Sequence, residues 1–316
     1  MKEVHSVSLV LGSGGARGHA HIGVVRAVLE RGYAIRNIAG TSMGALIGGV
    51  YAAGALDTYS DWAFHLERRD VVRLLDVSFS RRSLFKGERV FDVLRELLGE
   101  RHIEDLDRGF VAVATDINAQ REVWLNRGEL FGAIRASSAV PGVFTPVTRE
   151  GRVLVDGGLV NPIPIAPTLT DTTDATIAVN LNALGGRRGR RAAGEPQAAA
   201  ERDEKAEKDA KATETERDSY RERIAQFFRD QLGDSEPAEP QPTAMELLSK
   251  SFDTMQGQIA RMKLATYAPT VTVEIPRSAC GFFEFDRAEE LAEIGYEAAT
   301  RALAALGPPA GQPPVA

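Results

Sequence analysis

Cysteine is almost missing from this chain. Cys280 is the only one in 316 residues, which excludes an intramolecular disulfide framework and a cysteine-based metal site. An excess of positive charge is missing too: 38 Lys and Arg stand against 44 Asp and Glu, a formal net charge of −6. A dedicated nucleic-acid binder needs a basic surface to meet phosphates, so no nucleic-acid partner is expected. No apolar run approaches the roughly 18 residues that a spanning helix requires. Near the N-terminus, Lys2 precedes a short apolar stretch, Val7–Leu11, which the glycines of residues 12–18 interrupt at once. A secretory signal needs a longer apolar region, so a cytoplasmic protein is expected. Histidine is the last scarcity. His5, His19, His21, His65 and His102 are the full set, and none lies in the C-terminal two-thirds.

The residues that are present, 43% hydrophobic and 26% charged, have an ordinary soluble composition, and the length suffices for a sizeable core. From residue 4 to about 184, short β-rich runs alternate with helical stretches, the pattern of an α/β domain. Val4–Leu11 reads as a buried strand. Ile22, Val25, Val28 and Leu29 then share one helical face, and Gly32 ends that helix. Ile35–Ala39 reads as the next strand and Ala45–Ala53 as a helix packed through small residues. One crossover helix between the first two strands makes them a parallel, right-handed pair. Further strands are expected at Phe110–Thr115, Glu122–Leu125, Val153–Val155 and Thr176–Asn180.

Composition changes near residue 185. Residues 185–242 carry 12 Lys/Arg and 14 Asp/Glu in 58 positions, closely mixed, and read as a charged, flexible insertion or a solvated helix laced with ion pairs. Inside it, Tyr220, Ile224, Phe227, Phe228 and Leu232 form an apolar stripe suggesting an amphipathic helix over 218–232. Leu248, Phe252, Met255, Ile259 and Met262 recur at alternating spacings of four and three and predict a well-formed helix that docks on the core. Thr270–Ile275 reads as the last strand and Asp286–Leu306 as the last helix, with Asp286 as its N-cap. The expected organisation is a catalytic domain of residues 1–184 and 243–306, the insertion 185–242, and a disordered Pro-rich tail 307–316.

Three motifs carry chemistry. Gly40-Thr41-Ser42-Met43-Gly44 has G-x-S-x-G spacing between a predicted strand and a predicted helix. A nucleophile elbow needs small residues two before and two after the serine, because larger side chains would strike the neighbouring elements. The bland alternative is a glycine-rich turn with an incidental serine. Next, Gly12-Ser13-Gly14-Gly15-Ala16-Arg17-Gly18 links the first strand to the first helix. A dinucleotide reading wants a carboxylate at the end of the second strand, and Ile38-Ala39-Gly40 has none; a phosphate-loop Lys-Ser/Thr pair is missing as well. Free amides in this loop would instead form an oxyanion hole beside Ser42.

The serine needs a base. An α/β-hydrolase runs Ser, then Asp or Glu, then His, and no histidine follows at a suitable distance. His19 and His21 start the first helix and could approach the site, but a carboxylate is the expected base. Asp156 stands out in Val153-Leu154-Val155-Asp156-Gly157-Gly158, where a buried strand delivers an acid into a glycine turn. Such acids are often plain turn residues. An elbow without a histidine raises the catalytic reading.

In order and context, the glycine loop, the elbow and the Asp156-Gly157-Gly158 turn resemble the patatin-like phospholipase family. The segments Arg135–Gly142 and Asn161–Pro164 are similar to its intervening blocks. The resemblance covers roughly residues 5–182 and, more loosely, 244–306, and points to the bacterial branch similar to neuropathy-target-esterase catalytic domains. It implies a three-layer α/β/α fold with a mainly parallel central sheet. It also implies a Ser42–Asp156 dyad acting on lipid acyl esters, with no metal and no organic cofactor. The oxyanion hole would come from the loop Gly14, Gly15, Arg17 and Gly18, with Gly40, Gly44, Gly157 and Gly158 supporting the turns. The family usually has another glycine where this chain has Ser13, and the charged insertion is no general feature of it.

The expected protein is therefore a serine acyl hydrolase of lipase, phospholipase A or lysophospholipase type. Its expected partner is lipid or phospholipid, with peripheral contact at the inner membrane surface as an option. A non-catalytic regulatory protein on the same fold and a small-ester esterase or thioesterase are the rivals. Arg17 has two readings, support of the loop through a carboxylate or contact with a phosphate head group, and the first is preferred. Trp62, Phe64 and Phe85 are acyl-pocket candidates, though residues of this kind more often belong to the core. Arg187, Arg188, Arg190 and Arg191 read as solvated linker in preference to a contact with anionic lipid. The insertion has too little apolar content to belong to the core. Removing residues 187–240 and joining the ends should leave a protein that unfolds cooperatively on heating; a broad or absent transition would overturn that organisation.

Overall fold

The computed structural model describes residues 5–75, 88–184 and 244–306. The charged stretch 185–242 with its stripe at 218–232, Phe85, the arginines between 187 and 191 and the tail 307–316 lie outside the described residues. The chain divides into two compact units, residues 1–184 with 249–316, and residues 185–248. The first of these is described below, together with the helix that enters it.

Its centre is one mixed sheet of eight strands. Five are parallel, in the order β3 (Gly109–Asp116), β2 (Ala34–Thr41), β1 (Ser6–Leu11), β7 (Ala175–Ala183) and β8 (Val271–Pro276). The antiparallel strands β4 (Arg121–Leu125), β5 (Val147–Arg149) and β6 (Arg152–Asp156) extend it at β3. β1 and β7 are buried along almost their whole length. That burial accounts for their apolar stretches Leu9–Leu11 and Ile177–Val179, since both faces of a central parallel strand are covered.

The helices are α1 (Ala20–Glu30), α2 (Met43–Ala52), α3 (Leu56–Phe64), α4 (Arg68–Leu75), α5 (Glu88–Leu98), α6 (Leu130–Ser137), α7 (Ala244–Tyr267) and α8 (Ala288–Leu303). One face of the sheet, with Leu9, Leu11, Ile177, Val179 and Val273, packs in a single core with α1, α2, α5, α6 and α8. On the opposite face Val10 and Ala178 meet Ile163, Ile165 and Ala260 of α7. The result is the expected α/β/α layering, with a thin third layer.

Helix α8 crosses α1 at backbone contact. A Cβ on Gly23 would stand 1.8 Å from the Ala292 carbonyl oxygen, and one on Gly295 1.9 Å from that of Ala20. The two backbones touch because each presents a glycine to the other.

Three sequence expectations need correction. Leu29 is 41% exposed rather than on the buried face of α1. Asp286 lies inside a short 3-10 turn, Phe285–Arg287, and the α8 N-cap position belongs to Arg287 with no side-chain cap bond. Most consequential is α7: Gln256, Gly257 and Ala260 are its buried residues, whereas Leu248, Met255 and Met262 are 49%, 43% and 69% exposed. Its inner side meets the Ser13 hydroxyl and the Arg17 guanidinium as well as the apolar cluster around Ala260, so Asp253 and Gln256 face inward while Leu248, Met255 and Met262 face out.

Two glycine substitutions should have opposite signs. Gly295→Ala must push α1 and α8 apart, costing about 3 kcal/mol and lowering the melting temperature by roughly 6–12 °C. Gly257 in α7 has nothing within 3.7 Å of a built Cβ, so Gly257→Ala should gain up to about 1 kcal/mol from helix propensity. Thermal melts of both variants check this.

Candidate active site

β2 ends at Thr41 and α2 begins at Met43, so Ser42 makes the turn alone. Its backbone takes φ 58°, ψ −124°, a region that side chains other than glycine rarely occupy. Such strain costs about 1–3 kcal/mol and persists only where the surroundings enforce it. Here they do. A Cβ on Gly44 would lie 2.0 Å from the Leu11 carbonyl oxygen, and one on Gly40 2.4 Å from that of Gly44. Ser137 Oγ accepts from the Ser42 N–H at 2.9 Å and donates to the Val113 carbonyl at 2.6 Å, tying the turn to β3. The N-terminus of α2 points at Ser42, so negative charge developing there is favoured.

Strand register brings the acid. Ala112 and Val113 pair with β2 on one edge of β3 and with β4 on the other. Residues 114–116 pair with β4 and with β6. β2 and β6 therefore share one edge of β3, end to end: Thr41 is opposite Val113 and Asp156 is opposite Ala114. Ser42 and Asp156, at the tips of the two strands, meet in the gap. Asp156 is fully buried; its Oδ1 accepts from the Gly158 N–H at 2.7 Å, and its Oδ2 has no close partner. Burial pushes the Asp156 pKa up to about 7, opposed by the Ser42 hydroxyl facing the carboxylate and by the Gly158 N–H.

The glycine loop lies on the other side of Ser42. Ser13 N–H donates to the Pro162 carbonyl at 2.8 Å and Ala16 N–H to that of Phe282 at 2.9 Å. Among the described residues, neither Gly14 nor Gly15 N–H donates to a turn or loop carbonyl. Gly15 has φ +57° and its Cβ would meet Phe282; a Cβ on Gly18 would stand 2.3 Å from Met43 Cβ, so the loop rests against the start of α2. Arg17 turns away. Its buried guanidinium donates to Asp253 at 2.7 Å and to the Cys280 carbonyl at 3.4 Å.

Ser42 opens onto a cleft with about 840 Å³ of empty space, its open mouth included. The walls are almost entirely apolar, with Leu46, Trp62, Phe91, Val143, Phe144 and Phe282 prominent among them. Trp62 thus sits where an acyl chain would lie, while Phe64 packs half-buried on the core. His19 also reaches the cleft, but its Nε2 pairs with the Tyr59 hydroxyl at 3.1 Å. His21 Nε2 pairs with the Gly12 carbonyl at 2.8 Å. Burial lowers both pKa values to about 4, so both rings are neutral at physiological pH. Among the described residues no hydrogen bond joins a histidine to Ser42 or Asp156. The elbow serine and the buried acid stand together at the end of an apolar cleft.

Residues 9–169 match the family described as patatin-like phospholipase. An uncharacterized NTE family protein of Mycobacterium tuberculosis is 40% identical over 333 residues, covering 95% of this chain and 92% of that protein. The chain belongs to the patatin-like phospholipase family. Neuropathy target esterase sws of Drosophila persimilis is 34% identical over 166 residues, 51% of this chain and 12% of that much longer protein. VipD from Legionella pneumophila has a similar fold, with a TM-score of 0.52 at 13% identity over 95% of this chain and 66% of that one.

Several residues that build this patatin-like site carry no motif. Gln256 of α7 donates through Nε2 to Ser13 Oγ at 2.9 Å, and Asn182 to the Ser13 carbonyl at 3.0 Å. A Cβ on Gly158 would lie 2.2 Å from that same Gln256 nitrogen. Gln256 therefore touches both the loop before Gly14 and the turn after Asp156. The departure from the family glycine at Ser13 was the one sequence signal, because a hydroxyl there needs a partner. Asp253→Ala leaves the Arg17 guanidinium buried without its carboxylate and should cost about 3 kcal/mol. The paired change Arg17→Met with Asp253→Leu should recover most of that loss. Denaturant unfolding of the three proteins measures the cycle.

Proposed function

We propose that this protein is a serine acyl hydrolase acting on lipid carboxyl esters, with Ser42 as nucleophile and Asp156 as its base. The observation that carries this reading is the meeting of a strained elbow serine and a buried, otherwise half-satisfied carboxylate at the head of an apolar cleft. Family membership supports it.

The ester lies with its acyl chain along the cleft and its carbonyl over Ser42. As Ser42 Oγ attacks the carbonyl carbon, its proton passes to Asp156. The Gly14 and Gly15 N–H groups and the α2 N-terminus hold the tetrahedral oxyanion, in an environment dry enough to make each donor count. Collapse breaks the ester bond; the departing alkoxide takes the proton from Asp156 and leaves as the alcohol. Water then gives a proton to Asp156 and attacks the acyl-serine, and the fatty acid departs as Ser42 is reprotonated. Glycines at 40, 44, 157 and 158 keep the two turns close. Gly18 and Arg17 hold the loop in place from behind.

A fluorophosphonate probe should label the protein at Ser42, and Ser42→Ala should abolish labelling; undiminished labelling overturns the assignment. A panel of esters with short and long acyl chains separates lipid hydrolysis from small-ester turnover.

The acid–base assignment makes a sharper prediction. Only ionised Asp156 accepts a proton, so acylation should rise with pH and level off above about pH 7. Stability runs the other way. Unfolded, Asp156 titrates near its ordinary 3.8; folded, at about 7. Between those values the folded state binds the extra proton, so this group's contribution falls as pH rises from about 4 to 7 and is constant above. Asp156→Asn should lose activity by orders of magnitude while melting higher than wild type at pH 8, by up to about 4 kcal/mol. His19→Gln and His21→Gln should cost far less activity. A histidine variant as inactive as Asp156→Asn and as stable as wild type would mean a triad instead.

A further inference from the structure

Helix α7 has two sides of opposite character. Its inner side carries Asp253, paired with Arg17, and Gln256, bonded to Ser13. Its outer side carries Met255 and Met262, with Phe252 and Ile259 partly covered beside them. Among the described residues nine large apolar side chains are exposed, and four belong to this one helix. Scattered exposed hydrophobes are ordinary, but a contiguous stripe marks an interaction surface.

Charge says what kind of surface this is. Over Ala244–Tyr267 the helix has two acids, Glu246 in its first turn and Asp253, which faces inward to Arg17. Its cations are Lys250, Arg261 and Lys263, in a chain whose net charge is −6. An apolar stripe on a helix whose three cations are exposed or part-exposed and whose Asp253 is already paired suits the interface of an anionic bilayer, where methionines enter the acyl region and cations meet phosphates.

The stripe also leads to the active site. Phe252 packs edge-to-face on Phe282, ring centroids 6.4 Å apart, and Phe282 with Phe283 and Phe285 walls the cleft that ends at Ser42. A lipid lifted from a bilayer against α7 would pass over a continuous apolar path into the cleft.

We infer that the outer face of α7 is the docking surface for an anionic phospholipid bilayer, with Met255 and Met262 inserted and Lys250 and Arg261 on the headgroups. The choice of occupant rests on the lipid-hydrolase reading, and the test separates the two. The full chain carrying Ser42→Ala is co-sedimented with vesicles of phosphatidylcholine and with vesicles of phosphatidylcholine and phosphatidylglycerol in equal parts. Firm binding to the mixed vesicles, weak binding to the neutral ones and weakening by salt are expected. In the same background, Lys250→Glu with Arg261→Glu should bind mixed vesicles about thirtyfold more weakly, and Met255→Asp with Met262→Asp at least as weakly. Placed instead on an intact Ser42, the same pairs should leave the melting temperature and short-chain ester turnover unchanged. No binding by the parent protein, or binding by either pair as firm as the parent's, overturns the proposal. So does a concentration-dependent dimer that Met255→Asp with Met262→Asp dissolves, since the face would then be a contact between copies. Vesicle binding by a chain whose wild-type form hydrolyses no ester would leave the docking surface standing and remove the proposed activity.

Discussion

Everything at this site depends on one edge of β3 being shared. A parallel strand, β2, occupies its first half and an antiparallel strand, β6, its second, so their C-terminal ends face each other across a gap. A strand normally delivers its last residue into a loop; here two strands deliver theirs to one point. Ladder hydrogen bonds fix both registers, and a slip of one residue in either would turn its functional side chain to the other face of the sheet. The closeness of Ser42 to Asp156 is thus a property of sheet geometry rather than of flexible loops. Thr115 adds a pin, donating to the Asp156 carbonyl at 2.9 Å, and Asp156 N–H donates to the Ala139 carbonyl at 2.9 Å.

That placement works against stability. A serine in a sparsely populated backbone region and a carboxylate sealed from water each cost free energy, and neither is repaid locally. Asp156 has one firm hydrogen bond where an ordinary buried carboxylate would have three or four. The cost is carried by the rest of the sheet: β1 and β7 lie almost wholly in the core, and α1 and α8 close over them at backbone contact. A poorly satisfied acid is also a stronger base, so what destabilises the fold is what would let the acid take a proton near neutral pH.

Much of this was legible in the sequence, because the elements concerned obey steric rules with few solutions. The glycines at 40 and 44 stand where any side chain would strike Leu11 or the helix backbone, so their spacing announces the turn. Val153–Gly158 announces a buried strand ending in an acid for a similar reason. Failure came where polar contacts replaced apolar ones. The α7 stripe follows the period of a docked helix, yet the docked side is the one bearing Asp253 and Gln256, since the surface it meets offers Arg17 and the Ser13 hydroxyl. Periodicity records where apolar residues are, and reads as burial only if the partner surface is apolar. Asp286 failed for a related reason: the chain enters α8 through a 3-10 turn, so the cap position falls one residue later. Ser137, which anchors the elbow, acts across 95 positions of sequence, and no local pattern reveals such a partner.

The inner side of α7 gives its outer side a consequence. Arg17 and Ser13 bracket the two residues, Gly14 and Gly15, proposed above as the oxyanion donors, and α7 holds both brackets through side chains three positions apart. Local stability is uneven in proteins, and a helix that leaves Leu248, Met255 and Met262 in water belongs toward the low end. Anything that binds the ordered form of α7 more tightly than a frayed form shifts that local equilibrium by mass action. Because the brackets exist only when α7 is ordered, the same shift firms the loop and its amides. The helix would then couple what lies on its outside to the geometry of the oxyanion site, with no rearrangement of Ser42 or Asp156, whose positions the sheet has already set.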